Sequence, residues 1–315
     1  MKDVKRYFAW FKILGIALFV LILTRLDLKR TIIQLSGIQL WWLVLYAACQ
    51  SVALLSKSAR WGFLLKKLGV SYTPMKTLAI TSIAGFYGSV TPGRIGEFSK
   101  VVYLKKDNIS VSKTAVSIVL DRFYDLAVLC LLGVAALLYF APIFFPEIIM
   151  LFAWVTILLG VFLATYFLRK KLWELAKIVM HRMLAPELFA PLSAAWESFR
   201  SEMASVFKPT LLVMVSLTLC ASFFSLAQVF FLARALGIAA PFLFLAFCVT
   251  VSSLVSLLPV SIGGLGTREA TFIVLLGKIS ISAEAATLLG FLDGAVLGLI
   301  LSAIFAFGLS FTLRD

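Results

Sequence analysis

Between Arg30 and Lys57 the chain runs through 26 residues without a charged side chain. It does so again over 126–146, 148–168, 209–233 and 294–313. About 20 apolar residues in a helix cross about 30 Å of hydrocarbon. Lipid cannot satisfy backbone N–H and C=O groups, so such runs must close their hydrogen bonds internally, as helices do. With a shorter stretch near 8–24, the sequence predicts six spans. Composition agrees: 62% of the 315 residues are hydrophobic and 14% are charged, where soluble domains carry about 25% charged. The expected fold is an all-α polytopic membrane protein. A soluble enzyme, a disordered tail and a nucleic-acid binder are excluded.

Two further apolar stretches are interrupted. Residues 77–93 contain Gly85, Gly88, Pro92 and Gly93 and run directly into Arg94, Glu97 and Lys100. Residues 235–267 are charge-free but break over the segment from Leu258 to Glu269, which holds Pro259, Gly263, Gly264 and Gly266. Proline removes a donor and clashes with the preceding turn, and clustered glycine weakens a helix further. Both stretches read as broken, re-entrant helical hairpins. Such backbone survives at membrane depth only under a cover of protein or water.

Basic residues orient the chain. The stretch 57–113 carries ten and the loop 169–208 carries seven, while 141–147 carries none. The positive-inside rule places the first two in the cytoplasm and the third outside. The first hairpin then opens inward and the second outward, with both termini cytoplasmic. Arg25, Lys29 and Arg30 fall outside, against the rule. Arg25-Leu26-Asp27 follows the first apolar stretch without a small-residue cleavage site, so that stretch is expected to stay as an anchor. The formal charge of +14 is accounted for by this bias and by contact with anionic headgroups. The loop 169–208 mixes bases with Trp173, Trp196 and Phe199 and reads as an amphipathic connector along the membrane surface. Trp41, Trp42 and Trp61 read as interface anchors.

The two breaks resemble each other. Pro92-Gly93-Arg94-Ile95-Gly96-Glu97 aligns with Gly263-Gly264-Leu265-Gly266-Thr267-Arg268-Glu269, with Pro259 just upstream of the latter. An aspartate follows each glutamate by 24 residues, Asp121 after Glu97 and Asp293 after Glu269, near the expected start of the next span. Residues 1–315 thus read as a single membrane domain, with repeat unit A over about 38–140, the connector over about 169–208 and unit B over about 209–313. Paired broken segments in inverted repeats point to a transporter site near the midplane.

At these residues the sequence resembles the flippase-like family, also called the lysylphosphatidylglycerol synthase transmembrane family. The resemblance rests on Thr91 to Glu97 and Leu258 to Glu269 in that order, and it covers nearly the whole chain. It implies a multi-pass inner-membrane protein that moves a lipid headgroup between leaflets, or helps to. Members are linked to aminoacyl-phospholipids, hopanoids and polyprenyl-linked sugars. The two-part synthase has a soluble aminoacyl-transferase domain after its membrane domain. The present sequence stops at Asp315, so no lysyltransferase activity is expected of it.

For such a cargo, either an anionic phospholipid or a polyprenyl-phosphate-linked lipid, the chemistry needs a cation that grips phosphate. Arginine suits this because its fork matches phosphate oxygens two at a time. Arg94 and Arg268 stand beside Gly93, Gly96, Gly264 and Gly266, where backbone N–H groups and a helix start can approach an anion. Glu97 and Glu269 can hold the arginines, receive a cationic headgroup or carry a proton. Asp121, Asp125 and Asp293 complete the intramembrane set, Asp121 and Asp125 on one helix face. The competing reading is structural: Arg94 with Asp121 or Asp125, and Arg268 with Asp293, as buried ion pairs pinning the hairpins.

Cys49, Cys130, Cys220 and Cys248 lie in apolar runs without paired spacing, and His181 stands alone in a charged loop. No metal site, disulfide frame or cofactor is expected. The glycines at 263–266 lack the Lys-Ser/Thr of a nucleotide loop. Two alternatives remain open: a membrane-embedded transferase acting on a lipid, and an ion-coupled carrier of a small solute.

Overall fold

The computed structural model describes residues 17–91, 93–143, 186–257 and 261–313. Pro92, Pro259, the expected span 148–168, the connector up to 185 and both termini lie outside the described residues.

After a helical segment at 17–25, α1 (Leu28–Ser36) is capped by Asp27, which accepts the N–H groups of Lys29 and Arg30. Then α2 (Leu40–Lys67) leads to a first hairpin. Its arms are α3 (Pro74–Ser89) and a 3-10 turn Ile95–Ser99 continued by α4 (Lys100–Lys106). The long α5 (Val111–Phe140) follows. In the second half, α6 (Pro186–Ala235) leads to a second hairpin, α7 (Phe242–Ser256) and α8 (Thr267–Gly277). A further long helix follows as α9 (Ala283–Phe291), a π-helical turn Leu292–Leu297 and α10 (Gly298–Gly308).

Among the described residues, four helices are long and apolar enough to cross a membrane: Leu40–Lys67, Val111–Phe140, Trp196–Ala235 and Ala283–Gly308. The protein is an all-α, multi-pass membrane protein. These helices do not stop where charges begin. Lys57 and Arg60 lie inside α2, Asp121, Arg122 and Asp125 inside α5, and Asp293 in the middle of the last long helix. The expected span 31–56 is in fact divided at Gly37–Gln39. The part of 169–208 that is described runs straight into α6, with Val206 buried among Leu64, Leu68, Val116 and Leu120.

Local chemistry repeats between the halves. Gly69 and Gly237 end α2 and α6 at φ 75° and 71°. In each case the next N–H reaches back five residues, Val70 to Leu65 O at 2.9 Å and Ile238 to Ala233 O at 2.9 Å. That is the glycine-dependent cap that satisfies a helix's last carbonyls. Ser110 and Ser282 cap α5 and α9 by accepting Lys113 N–H and Ala285 N–H, both at 3.3 Å. Asn108 and Ser280 hold positive φ two residues before each cap.

Packing exchanges the halves. The first arm of each hairpin lies on the long helix of the other half, α3 on α10 and α7 on α5. Phe86 meets Phe307 at 5.7 Å and Phe140 meets Phe244 at 5.2 Å between ring centroids. The start of α2 lies beside the end of α6, where Gln39 N–H donates to Ala235 O at 3.2 Å. At the other end Ser112, at the start of α5, donates to Glu202 of α6 at 2.8 Å. A buried core of Tyr46, Leu137, Phe140, Leu232, Phe244 and Phe272 ties the second hairpin to α2, α5 and α6.

Candidate functional site

Two charge centres flank the breaks. The first is built on α2, α5 and the second arm of the first hairpin. Arg60 is almost wholly enclosed and donates through Nε to Asp121 Oδ1 at 2.9 Å. Its Nη1 donates to Asp125 Oδ1 at 2.6 Å and to Thr218 Oγ1 at 2.8 Å. Asp121 and Asp125 are one turn apart, which lets one guanidinium hold both. Lys100 takes the other oxygen of Asp121 at 2.7 Å and lies 4.6 Å from the centre of the Trp61 ring. Glu97 pairs with Arg94 at 3.1 Å and with Arg122, whose guanidinium is 3.9 Å from Asp125. Lys57, one turn before Arg60, has Asp125 as its countercharge.

Five cations (Lys57, Arg60, Arg94, Lys100 and Arg122) therefore gather around three carboxylates (Glu97, Asp121 and Asp125). Two positive charges are in excess among the described residues. Arg94 differs from the others. Its side chain is 52% exposed, and its backbone sits at φ 58°, a left-handed geometry costly for a residue with a Cβ. Arg60 is the fixed member and Arg94 the open one.

The second centre lies around Asp293. Its Oδ1 accepts the Tyr46 hydroxyl at 3.1 Å and the Gln228 amide at 3.4 Å. Asp293 sits in the π-helical turn, a widening of the helix that is frequent at functional positions. Arg268 acts on Asp293 electrostatically, but its Nη2 donates to Gly263 O at 3.0 Å. The guanidinium crosses the bare backbone of Gly294, where a Cβ would occupy its space. Glu269 turns to the backbone instead and accepts Gly266 N–H at 2.6 Å, capping α8.

The two breaks touch. A Cβ on Gly263 would run into the carbonyl of Ser89, and one on Gly93 would lie 4.0 Å from the carbonyl of Leu257. Glycine at 263 is what permits this close approach of the two backbones. Gly96 is equally confined, against the carbonyl of Tyr87 in its own hairpin.

The family described as "Lysylphosphatidylglycerol synthase TM region" matches residues 10–304. This chain belongs to that family. A similar relative is the "UPF0104 membrane protein PH1989" of Pyrococcus horikoshii, 27% identical over 131 residues, which cover 40% of this chain and 39% of the relative. The match thus spans about two fifths of that relative's length. No solved structure matches.

Within this family member, the sequence-expected residues are regrouped. Asp121 and Asp125 do share a face, but their principal partner is Arg60, not Arg94. Arg94 pairs with Glu97 instead. Arg268 makes no ion pair within 4 Å with Asp293 among the described contacts. Arg94 and Arg268 are also not equivalent. Each break ends in a positive-φ cap three residues before a glutamate, and that cap is Arg94 before Glu97 but Gly266 before Glu269. Arg268 therefore corresponds in register to Gly96. Arg60, Lys57, Lys100, Tyr46 and Gln228 were missed by sequence reasoning. Lys57 and Arg60, one turn apart and following an apolar run, carried the signal: long helices extend through charges that find partners. Trp61, expected at the interface, is fully buried beneath Lys100.

Proposed function

We propose that this protein moves a lipid bearing a phosphate in its headgroup between the two leaflets, with the first charge centre as the transient phosphate site. The observation that carries the reading is the excess of two positive charges in that centre, next to an open arginine in a strained backbone. A charge near the bilayer centre costs about 2.5–3.5 kcal/mol on insertion scales. An uncompensated surplus there needs an anion, and a phosphate diester or monoester supplies one. Glu97 acts as the internal stand-in: it holds Arg94 when no headgroup is present and recaptures it on release. Arg60 and Lys100 keep Asp121 and Asp125 fixed while this exchange occurs. Gly93 lets backbone approach the headgroup beside Arg94, while Gly96 and Gly266 commit their N–H groups to Thr91 and Glu269.

The halves form an inverted repeat in this reading, supported by matched caps at Gly69 and Gly237 and at Ser110 and Ser282. The first hairpin's base adjoins the start of α5 and the second's adjoins its end, where Phe140 packs on Phe244. The end carrying Lys66, Lys67, Lys76, Lys105, Lys106 and Lys113 faces the cytoplasm by the positive-inside rule. The touching tips then form the barrier between two half-paths, and their separation opens the route.

The test is reconstitution in liposomes containing a fluorescent phosphatidyl lipid, with leaflet exposure read by quenching from outside. The phosphate-bearing probe should change leaflet faster than in empty vesicles, and Arg94→Lys should slow it without loss of thermal stability. Equal movement of a neutral, phosphate-free probe would remove the phosphate site from the mechanism.

A further inference from the structure

We propose that Asp293, Tyr46 and Gln228 form a proton-binding site that couples lipid movement to a proton gradient. The coupling rests on the translocation reading above, while the site itself stands on its own geometry. Three elements converge on one carboxylate: α2 brings Tyr46, α6 brings Gln228, and the π-helical turn brings Asp293. Among the described residues the other charged groups facing it, Arg268 and Glu269, both come from α8. Both are already engaged, Arg268 with Gly263 O and Glu269 with Gly266 N–H.

The decisive atom is Gln228 Oε1. Gln228 is only 9% exposed, and among the described residues this oxygen has no hydrogen-bond partner. Buried polar atoms are almost always satisfied, so an orphan beside a carboxylate calls for a reason. When Asp293 is ionised, it accepts from the Tyr46 hydroxyl and the Gln228 amide N–H, and the amide oxygen is left over. When Asp293 takes up a proton, it gains an O–H to donate. Rotation of the Gln228 amide then presents Oε1 as the acceptor. One side chain thus serves both protonation states, and the proton alone distinguishes them. The proton comes from water on one side of the membrane and returns to water on the other, with no other bond made or broken.

A metal cation fits this place less well. Hard cations take six or more oxygens. The Asp293 carbonyl already accepts Gly298 N–H, and the positive Arg268 stands nearby.

The experiment pairs two readouts on the full chain in liposomes. Infrared difference spectra between acidic and alkaline buffer should contain a carboxylic C=O band that disappears in Asp293→Asn. In Gln228→Met, which can neither donate nor accept there, the same band should persist at a higher frequency. An imposed pH gradient should change the rate of the fluorescent phosphatidyl probe severalfold in the wild-type protein and not in Asp293→Asn. A band that survives Asp293→Asn, or is unmoved by Gln228→Met, overturns the proton site. A rate that follows a sodium gradient and ignores pH also overturns it. A band that behaves as expected while no lipid moves supports the site and refutes the translocation reading.

Discussion

Replacing Arg60 and replacing Arg94 should have opposite consequences, although both arginines belong to the first charge centre. Arg60→Gln removes the guanidinium that bonds Asp121 at 2.9 Å, Asp125 at 2.6 Å and Thr218 at 2.8 Å. Asp121 keeps Lys100 at 2.7 Å, so its charge stays compensated. Asp125 loses its close partner and keeps, among the described residues, Arg122 at 3.9 Å and the more distant charge of Lys57, so it becomes the weakly compensated carboxylate. Leaving one member of a buried pair alone costs about 3–5 kcal/mol. Adding Asp125→Asn removes the stranded charge and should recover most of that loss. Arg94 has a single described carboxylate partner, Glu97, and a half-exposed side chain. Glu97 keeps Arg122 after the loss, so no buried carboxylate is left alone and Arg94→Gln should unfold close to wild type while losing lipid movement.

The assay is unfolding of the purified protein in mild detergent, followed by fluorescence, alongside the liposome assay. The order of stabilities expected is wild type and Arg94→Gln together, then Arg60→Gln with Asp125→Asn, then Arg60→Gln alone. An Arg60→Gln protein within about 1 kcal/mol of wild type, against the 3–5 expected of a buried pair, would refute the structural role. So would a double variant no more stable than the single one. Full transport by Arg94→Gln would remove Arg94 from the cargo path.

Gly96→Ala should destabilise by about 1–3 kcal/mol, the cost of overpacking, because its Cβ meets the Tyr87 carbonyl; unfolding in detergent reads this. At the base of the first hairpin Asp107 bonds Lys76 at 2.8 Å and the Tyr72 hydroxyl at 2.5 Å, which hold its carboxyl below the usual range. Its folded pKa lies below the unfolded one, so the clamp contributes fully above the ordinary carboxylate pKa and fades as pH falls through the folded value. Lys76→Met should reduce the stability lost between neutral pH and about pH 3, as read by thermal melts at each pH. In a background without the four cysteines, Lys105→Cys and Lys278→Cys should react with impermeant reagents from opposite sides of the membrane. Reaction from one side would end the inverted-repeat proposal.

Much of the architecture was legible because the signals were chemical. Apolar runs gave the membrane class, Gly and Pro clusters marked the two helix breaks, and the 24-residue step from Glu97 to Asp121 and from Glu269 to Asp293 leads in each case to an aspartate inside a long helix. The limits came from treating charge as a boundary. Asp121 and Asp293 each lie ten residues beyond the first residue of a long helix, and the helix continues because neighbouring helices supply partners. Arg60 was counted as a cytoplasmic base although Asp121 and Asp125 enclose it. Pairing across helices has no local sequence signature, and that is why the principal partner of both aspartates was missed while the aspartates were found.

The divergence between the halves matters more for mechanism than their likeness. At the positive-φ cap one half carries Arg94 and the other Gly266. One turn on, the first glutamate joins an ion network while the second caps a helix. The first centre is left with excess positive charge, whereas Arg268 faces two carboxylates, Glu269 and Asp293, in the second. In the proposed mechanism these imbalances act on each other across the touching tips. A phosphate entering the first centre adds negative charge, which favours protonation of Asp293. Proton uptake at Asp293 removes a negative charge and so favours the incoming phosphate. Linkage makes the two effects equal in free energy. Phosphate affinity should therefore rise as Asp293 takes up its proton, and Asp293→Asn should hold it at the high end whatever the pH. Binding of a soluble glycerophosphate headgroup, titrated at two pH values in detergent, measures this directly. An unchanged pH dependence in Asp293→Asn would show that the two centres act independently.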